Sequence, residues 1–272
     1  MTLTALELCA GAGGQALGLA RAGFKHVALI DKDVHACQTL QRNFLNKRII
    51  HADIRELPDP TQFRGIELLA AGLPCPSLAG QLDAVNDDRN LVAAFFDTVH
   101  AVKPLAVLVE TMPRLMTPKF EAYRQLILAQ FDRLGYSVGM QLLDGSDFCV
   151  HQKRCKRAVI VALSPGYTDA FSWPDPIVIR RRTVGEILGD LMATDGWQGA
   201  AQWAKCANDV APTIVGGSNK HGGGDLGRAR SRAEWAKLGI EGKSLADRAP
   251  TADFIGLPRL TFIPMPLVPA QS

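Results

Sequence analysis

Cys75 is the residue of this chain whose sequence neighbours most favour a role in catalysis. It follows the apolar run 66–71 and stands between Pro74 and Pro76. The run predicts a buried strand, and in open α/β sheets ligands and reacting groups lie at the carboxyl ends of the strands. The two prolines fix φ and remove two backbone donors, so the turn restricts where the sulfur can point. This setting suits a nucleophile, whereas a buried, unreactive cysteine is the alternative for a single thiol.

A glycine-rich turn follows the first apolar run and has the sequence CAGAGGQA over residues 9–16. Its glycines let the backbone approach a ligand, and Asp31 follows the turn by about 20 residues, where a carboxylate can accept both hydroxyls of a ribose. Asp53 comes after a short apolar run and could accept from an adenine amino group at the same crevice. The spacing of Gly11, Gly13 and Ala16 also fits the dinucleotide fingerprint, so NAD or FAD is one alternative. A tight turn without a ligand and a surface aspartate are the others.

Two further segments carry groups suited to proton transfer or to anions. Glu110 ends a predicted strand over residues 105–109, so we expect it on the same edge of the sheet as Cys75. An acid beside a thiol suggests a nucleophile with a proton donor. Residues 150–157 read VHQKRCKR and lead into another apolar run. This basic run permits a polyanion partner, although it is also typical of a solvated edge.

These residues need a scaffold, and apolar runs alternate with amphipathic stretches through the first two thirds of the chain. The predicted strands are 5–9, 27–30, 66–71, 106–109 and 158–163, and the predicted helices are 15–22, 34–43, 91–102 and 119–134. Such alternation predicts a doubly wound α/β sheet. From about residue 184 the chain is rich in Gly, Trp and turn signals, so we expect two domains, 1–180 and 181–272.

The composition is that of an ordinary globular protein, with 272 residues, 47% hydrophobic and 21% charged, and a net charge of +3. The six cysteines form no C-x-x-C pair. This argues against a zinc site or a disulfide framework, so we expect no metal and a reducing, cytosolic compartment. The N-terminal segment shows neither a basic n-region nor a long apolar h-region, and we expect no signal peptide and no contact with a membrane.

Four segments, in this order, resemble the motifs of the DNA cytosine-C5 methyltransferase family, of the bacterial or phage restriction-modification type. Residues 7–14, ELCAGAGG, are similar to its loop for S-adenosyl-L-methionine (AdoMet), and Pro74-Cys75 to its nucleophile motif. Glu110-Thr111-Met112 is similar to its Glu-Asn-Val motif, and Gln152-Lys153-Arg154 to its Gln-x-Arg-x-Arg motif. The likeness is good over 3–165 and looser through APTIVGGS at 211–218, which is similar to a recognition-domain segment, to PRLT at 258–261.

The resemblance implies a Rossmann-like AdoMet-dependent methyltransferase sheet in residues 1–180 and a smaller, partial target-recognition region in 181–272. AdoMet would be the co-substrate, double-stranded DNA the partner, and the cytoplasm of a bacterial or phage-infected cell the location. Cys75 would add to C6 of a flipped cytosine, Glu110 would hold N3 and the exocyclic amine, and Arg154 would steady the base. The implied AdoMet contacts are Leu8, Cys9, Ala10, Gly11, Gly13, Gly14, Asp31, Lys32, Asp53, Ile54 and Pro74, and the implied DNA contacts are Gln152, Lys153, Lys156 and Arg157.

The chain departs from the family pattern at several positions. Cys9 stands where the family usually has an aromatic residue, and Thr111-Met112 replaces Asn-Val. The stretch after Cys75 is shorter than the family's catalytic loop. Lys156 stands where the second arginine of the basic motif is expected, so either Lys156 or Arg157 could fill that role.

The C-terminal pattern also differs, because the family's final Gly-Asn turn and helix have no counterpart after Thr261. From this we expect a truncated or split enzyme that needs a second chain, supplying the absent segment, for activity. The alternatives are an inactive remnant that binds DNA or AdoMet, an RNA cytosine-C5 methyltransferase, and an NAD-dependent oxidoreductase. Hydride transfer does not need the Pro-Cys, Glu and Gln-x-Arg set, which argues against the oxidoreductase.

Overall fold

The computed structural model describes residues 3–74, 91–148, 150, 152–153, 155–177, 180–214 and 225–260. The chain divides into two compact units, each built from separate segments. The first contains residues 1–143 and 156–174, and the second contains residues 144–155 and 175–272. The basic segment around Gln152 and Lys153 therefore belongs to the second unit. The functional division at residue 180 stays a prediction.

Seven strands form the main sheet within the described residues. They are β1 (Thr4–Leu8), β2 (Lys25–Asp31), β3 (Ile49–His51), β4 (Leu68–Gly72), β5 (Ala106–Thr111), β6 (Ser137–Asp144) and β8 (Lys156–Leu163), and β7 (Gln152–Lys153) lies outside this sheet. Their order is β3-β2-β1-β4-β5-β8-β6. The pairs among β1 to β5 are parallel, and β8 runs antiparallel to β5. The carboxyl ends of β1 to β5 therefore meet at one edge.

Helices cover both faces of this sheet. They are α1 (Gly14–Arg21), α2 (Val34–Asn43), α3 (Val92–Val102) and α4 (Glu121–Arg133). The two-residue period of the strands divides the core: Leu6 and Leu8 pack in one cluster with Phe95 and Phe131, whereas Ala5 packs in another with Leu19. The predicted doubly wound α/β fold is confirmed, with strand and helix ends displaced by one or two residues.

One buried polar pair lies inside the first unit and was not predicted. His26 Nε2 is 3.2 Å from Glu7 Oε2, and both side chains are buried. His26 is the register partner of Ala5, which faces the same side of β1 as Glu7. Burial raises the pKa of Glu7, while the hydrogen bond with His26 acts in the opposite direction.

The second unit packs around two tryptophans. Its described elements are β7, α5 (Val184–Ala193), α6 (Ala200–Cys206), β9 (Ala211–Pro212) and α7 (Ala229–Ala236). Trp203 and Trp235 form the core with apolar residues of these helices. Gly185 permits the close contact of α5 with α6, because a Cβ there would lie 1.9 Å from the Ala204 carbonyl oxygen.

The described residues contain no helix long and apolar enough to cross a membrane. Within the same part of the chain, no group of three or more His, Cys, Asp or Glu side chains could hold a metal ion.

Candidate cofactor cleft and reacting edge

The glycine-rich turn connects the end of β1 to the start of α1. Cys9, Gly11 and Gly13 all have positive φ angles, of 53°, 54° and 89°. Gly13 also lies against α2 and against Phe44, which follows that helix, since a Cβ there would be 2.5 Å from the Phe44 ring and 2.8 Å from the Leu40 side chain. Glycine is therefore required at Gly13 for two separate reasons, conformation and space.

Asp31, the last residue of β2, holds this turn from the neighbouring strand. Its Oδ2 accepts a hydrogen bond of 2.7 Å from the Gly11 backbone N–H, and its Oδ1 accepts one of 2.8 Å from the Asp33 N–H. Each carboxylate oxygen can accept a second hydrogen bond. Asp31 can thus orient the turn and still receive donors from a ligand.

Asp53 begins a 3₁₀ turn after β3 and is bound by a neighbouring arginine. Its Oδ1 accepts from the Arg55 backbone N–H and from Arg55 Nε, both at 3.0 Å, and its Oδ2 accepts from Arg55 Nη2 at 2.7 Å. Lys32 Nζ lies 3.8 Å from Asp53 Oδ2. The Arg55 guanidinium is the main reason that the pKa of Asp53 falls to about 2. Asp53 is therefore a carboxylate throughout the physiological range.

A cleft of about 260 Å³ lies where these segments meet. Six of the predicted AdoMet contacts line it, namely Cys9, Asp31, Lys32, Asp53, Ile54 and Pro74, together with Ala52, Gly72 and Leu91. The other predicted contacts, Leu8, Ala10, Gly11, Gly13 and Gly14, belong to β1, the turn and the start of α1 but not to this lining. Burial, with the nearby carboxylates of Asp31 and Asp53, raises the pKa of the Cys9 thiol to about 12. Cys9 thus lines the cleft as a protonated, uncharged thiol.

Glu110 lies one strand away from this cleft. It is the register partner of Gly72, which lines the cleft from β4. Arg157 Nε donates to Glu110 Oε1 at 2.6 Å, with both side chains partly exposed. Lys156 precedes Arg157 on β8, and neighbouring residues of a strand point to opposite faces. Arg157, and not Lys156, is thus the partner of Glu110.

Thr111 links the two strands at this edge. It is buried, and its hydroxyl donates a 2.8 Å hydrogen bond to the Leu73 carbonyl oxygen. Leu73 is followed by Pro74 and then by Cys75, the predicted nucleophile, which lies outside the described residues. The side chain of Thr111 therefore fixes the backbone from which the predicted catalytic segment begins.

The basic segment of the second unit is held by residues 209–214. Strand β7 pairs in parallel with β9, and Lys153 Nζ forms an ion pair with Asp209. The Thr213 hydroxyl donates to the Lys153 carbonyl, and the Ile214 N–H donates to the Gln152 side chain at 3.4 Å. Arg154 lies outside the described residues. The predicted DNA contacts of Gln152, Lys153, Lys156 and Arg157 stay predictions.

Comparison with known proteins then decides the family. The family model for C-5 cytosine-specific DNA methylases matches residues 3–244. The chain belongs to the C-5 cytosine-specific DNA methylase family. Among its relatives, the Type II methyltransferase M.NaeI of Lentzea aerocolonigenes is 45% identical over 253 residues, which cover 92% of this chain and 61% of that protein. M.NgoMIV of Neisseria gonorrhoeae is 46% identical over 217 residues, covering 79% and 69%.

Solved structures of methyltransferases share the fold of this family member. A DNA modification methyltransferase encoded within an E. coli prophage is similar with a TM-score of 0.58 and 25% identity, covering 68% of this chain and 54% of that one. DNMT2 of Spodoptera frugiperda is similar with a TM-score of 0.53 at 21% identity, covering 65% and 55%. The Rossmann-like methyltransferase sheet expected from the sequence is therefore confirmed. The NAD-dependent oxidoreductase alternative is wrong, because the family match covers both units.

Three structural features of the cleft and of the neighbouring strand ends were not predicted from the sequence. The bidentate contact of Arg55 with Asp53 depends on the 3₁₀ turn between them, although an Asp two residues before an Arg was a visible signal. Thr111 was noted only as a departure from the family pattern, and its hydrogen bond to Leu73 needs the register of β4 and β5. Gly72 lines the cleft, and a Cβ added to it would lie only 3.0 Å from the Cys9 carbonyl oxygen.

Proposed function

We propose that this chain transfers a methyl group from AdoMet to C5 of cytosine in double-stranded DNA. Family membership supports the reaction class. The observation that carries the proposal for this chain is the position of Glu110, which is the register partner of Gly72 at the edge of the cleft. A cofactor site and an acid on adjacent strand ends are what methyl transfer to a bound base requires. The chain spans 61% of the length of M.NaeI, so the activity of the whole protein is part of the proposal.

The cleft fits AdoMet in its chemistry. Two carboxylates, Asp31 and Asp53, face the cleft, and the turn behind it has a glycine, Gly13, where a side chain would not fit. We assign the ribose hydroxyls to Asp31, the adenine amine to Asp53, and the methionine part to the backbone of residues 8–14. Bound there, AdoMet supplies the methyl group. The residues of the chain orient it and exclude water.

We assign the steps of the reaction to residues at the edge of the sheet where β4 and β5 end. Cytosine C5 is a poor nucleophile, so the Cys75 thiolate first adds to C6 of the base. Glu110 accepts a hydrogen bond from the exocyclic amine and shares a proton with N3 as electron density moves to C5. Arg157 fixes the orientation of Glu110 through its 2.6 Å contact, and we therefore assign the second basic role to Arg157 rather than to Lys156. After C5 has taken the methyl group, loss of the C5 proton and of the Cys75 sulfur restores the aromatic ring.

The DNA duplex would be bound by the basic segment and by the recognition region that we place in the second unit. Gln152, Lys153 and Lys156 are proposed to contact the DNA, and Arg154 to steady the flipped base. Much of the affinity for DNA comes from neutralised phosphates and falls with salt concentration. The Asp209 carboxylate that pairs with Lys153 must then share that ammonium with a phosphate.

The proposal is tested by incubating the purified chain with methyl-labelled AdoMet and mixed-sequence duplex DNA or tRNA, followed by nucleoside analysis. We expect label in 5-methylcytosine of DNA. Label confined to tRNA would replace the DNA reaction by an RNA reaction. Binding of S-adenosyl-L-homocysteine without any transfer of label would favour either the inactive remnant or the predicted need for a second chain.

A further inference from the structure

The carboxylate of Asp53 is largely occupied by one side chain. A carboxylate has about four positions that accept hydrogen bonds, two on each oxygen. On Oδ1, both positions are used by Arg55, through its backbone N–H and its Nε. On Oδ2, one position is used by Arg55 Nη2, and Lys32 Nζ at 3.8 Å is too distant for a hydrogen bond. Among the contacts of the described residues, one acceptor position of Oδ2 is left.

We place that remaining position in the cleft, because the nearby Lys32, 3.8 Å from Oδ2, also lines the cleft. Asp53 lines the cleft, and 15% of its side chain is exposed. Arg55 grips both oxygens at once, so the carboxylate cannot rotate without breaking a bidentate charge-assisted pair. The direction of the last acceptor position is thus set by Arg55, which is not itself part of the cleft lining.

We infer that Arg55 is a positioning residue that makes Asp53 selective for a nucleobase with an amino donor. This inference rests on the proposed function, because it assumes that the adenine of AdoMet lies at Asp53. An exocyclic amine can donate to the free position of Oδ2. A carbonyl at the same place, as in hypoxanthine, would set its oxygen against the carboxylate oxygen, and two acceptors repel each other. Without Arg55, the Asp53 carboxylate can turn, and it loses this selectivity.

The test compares S-adenosyl-L-homocysteine with S-inosyl-L-homocysteine, in which a C6 carbonyl and an N1–H replace the amine and the unprotonated N1 of adenine. Calorimetry gives the ratio of their dissociation constants for the unmodified chain and for Arg55→Met and Arg55→Lys. Arg42→Met removes a positive charge from an exposed position of α2 and serves as the matched control. Thermal unfolding of each variant shows whether it is folded.

We expect the unmodified chain and Arg42→Met to prefer the adenosyl ligand equally. Arg55→Met should reduce the preference by roughly tenfold, the equivalent of one good hydrogen bond. Arg55→Lys should lose most of it as well, because a lysine keeps the charge but cannot form the bidentate pair. A preference within about twofold of the unmodified chain in a folded Arg55→Met, or in Arg55→Lys, would overturn the inference. Failure of the unmodified chain to bind either ligand would instead overturn the proposed cofactor site.

Discussion

Glycine is required at one position of the glycine-rich turn and replaceable at the next. Gly13 has a φ of 89°, and an added Cβ would lie 2.5 Å from Phe44. Gly14 begins α1, has no such φ, and has no atom within 4 Å of an added Cβ. Two adjacent residues of the same type therefore differ in their physical role.

Gly13→Ala and Gly14→Ala test this difference. We expect Gly13→Ala to lower the free energy of unfolding by about 1–3 kcal/mol, through backbone strain and overpacking against Phe44. Gly14→Ala should change it by less than about 1 kcal/mol, since alanine is the better helix former. Urea unfolding measures both. Equal effects would show that the positive φ of Gly13 does not constrain the turn.

Asp31 has a double role, as anchor of the turn and as proposed ribose ligand. Asp31→Ala removes the acceptor of the Gly11 N–H as well as that of the ribose hydroxyls. Binding of S-adenosyl-L-homocysteine should weaken by roughly 1–3 kcal/mol, the scale of a lost hydrogen bond to a charged group. Asp97→Ala, on the exposed face of α3, is the control for loss of a carboxylate. Unchanged affinity in Asp31→Ala, measured by calorimetry, would remove Asp31 from the site.

At the scale of elements, the ends of β4 and β5 are joined by one side chain. Thr111 on β5 donates to Leu73, and the predicted nucleophile follows two residues later. Thr111→Val replaces the hydroxyl by a methyl group of similar size and leaves the carbonyl without this donor. We expect a loss of about 1 kcal/mol in stability and slower methyl transfer with nearly unchanged DNA affinity.

Thr98→Val is the matched control for this experiment. Thr98 is also buried, and its hydroxyl donates to the Ala94 carbonyl within α3, away from the reacting edge. The Thr98→Val substitution should lower stability by a similar amount without slowing methyl transfer. If both variants are equally active at equal stability, Thr111 does not position the catalytic segment.

Two adjacent basic residues at the start of β8, Lys156 and Arg157, are expected to have different roles. Arg157 contacts Glu110, so Arg157→Ala should lower the rate of methyl transfer much more than it lowers DNA affinity. Lys156 is exposed, so Lys156→Ala should weaken DNA binding and reduce its salt dependence by about one unit of slope for a lost phosphate contact. Single-turnover rates and binding titrations at several salt concentrations distinguish them. Interchanged effects would assign the second basic role to Lys156.

The segments that form the cleft were predictable from the sequence, because apolar runs mark where the strands end. Asp31 and Asp53 follow apolar runs, and parallel strands bring such ends to one edge. The antiparallel direction of β8 and the pairing of His26 with Glu7 were out of reach, since both depend on how strands associate. The same holds for Arg157, whose contact with Glu110 follows from the register of β5 and β8.

At the scale of the whole molecule, the candidate residues are divided between the two units. The cleft, Glu110 and Arg157 belong to the first unit, whereas Gln152, Lys153 and the proposed recognition region belong to the second. Residues 144–155, between β6 and β8, belong to the second unit, although the strands on either side belong to the sheet of the first unit. In the proposed function, this segment connects, along the chain, the strands that carry the catalytic residues to the part that recognises DNA.

Trapping of the protein on fluorinated DNA tests whether Cys75 attacks cytosine. The chain is incubated with AdoMet and duplex DNA that carries 5-fluorocytosine in place of cytosine, and the products are examined by mass spectrometry. After addition of the thiolate to C6 and methylation of C5, no proton is left at C5 to be removed, so the protein stays bonded to the DNA. We predict one adduct at Cys75 that is absent in Cys75→Ser. An adduct that persists in Cys75→Ser, or that maps to Cys9 or Cys155, would contradict the claim, as would the absence of any adduct with DNA that the chain methylates in its unfluorinated form.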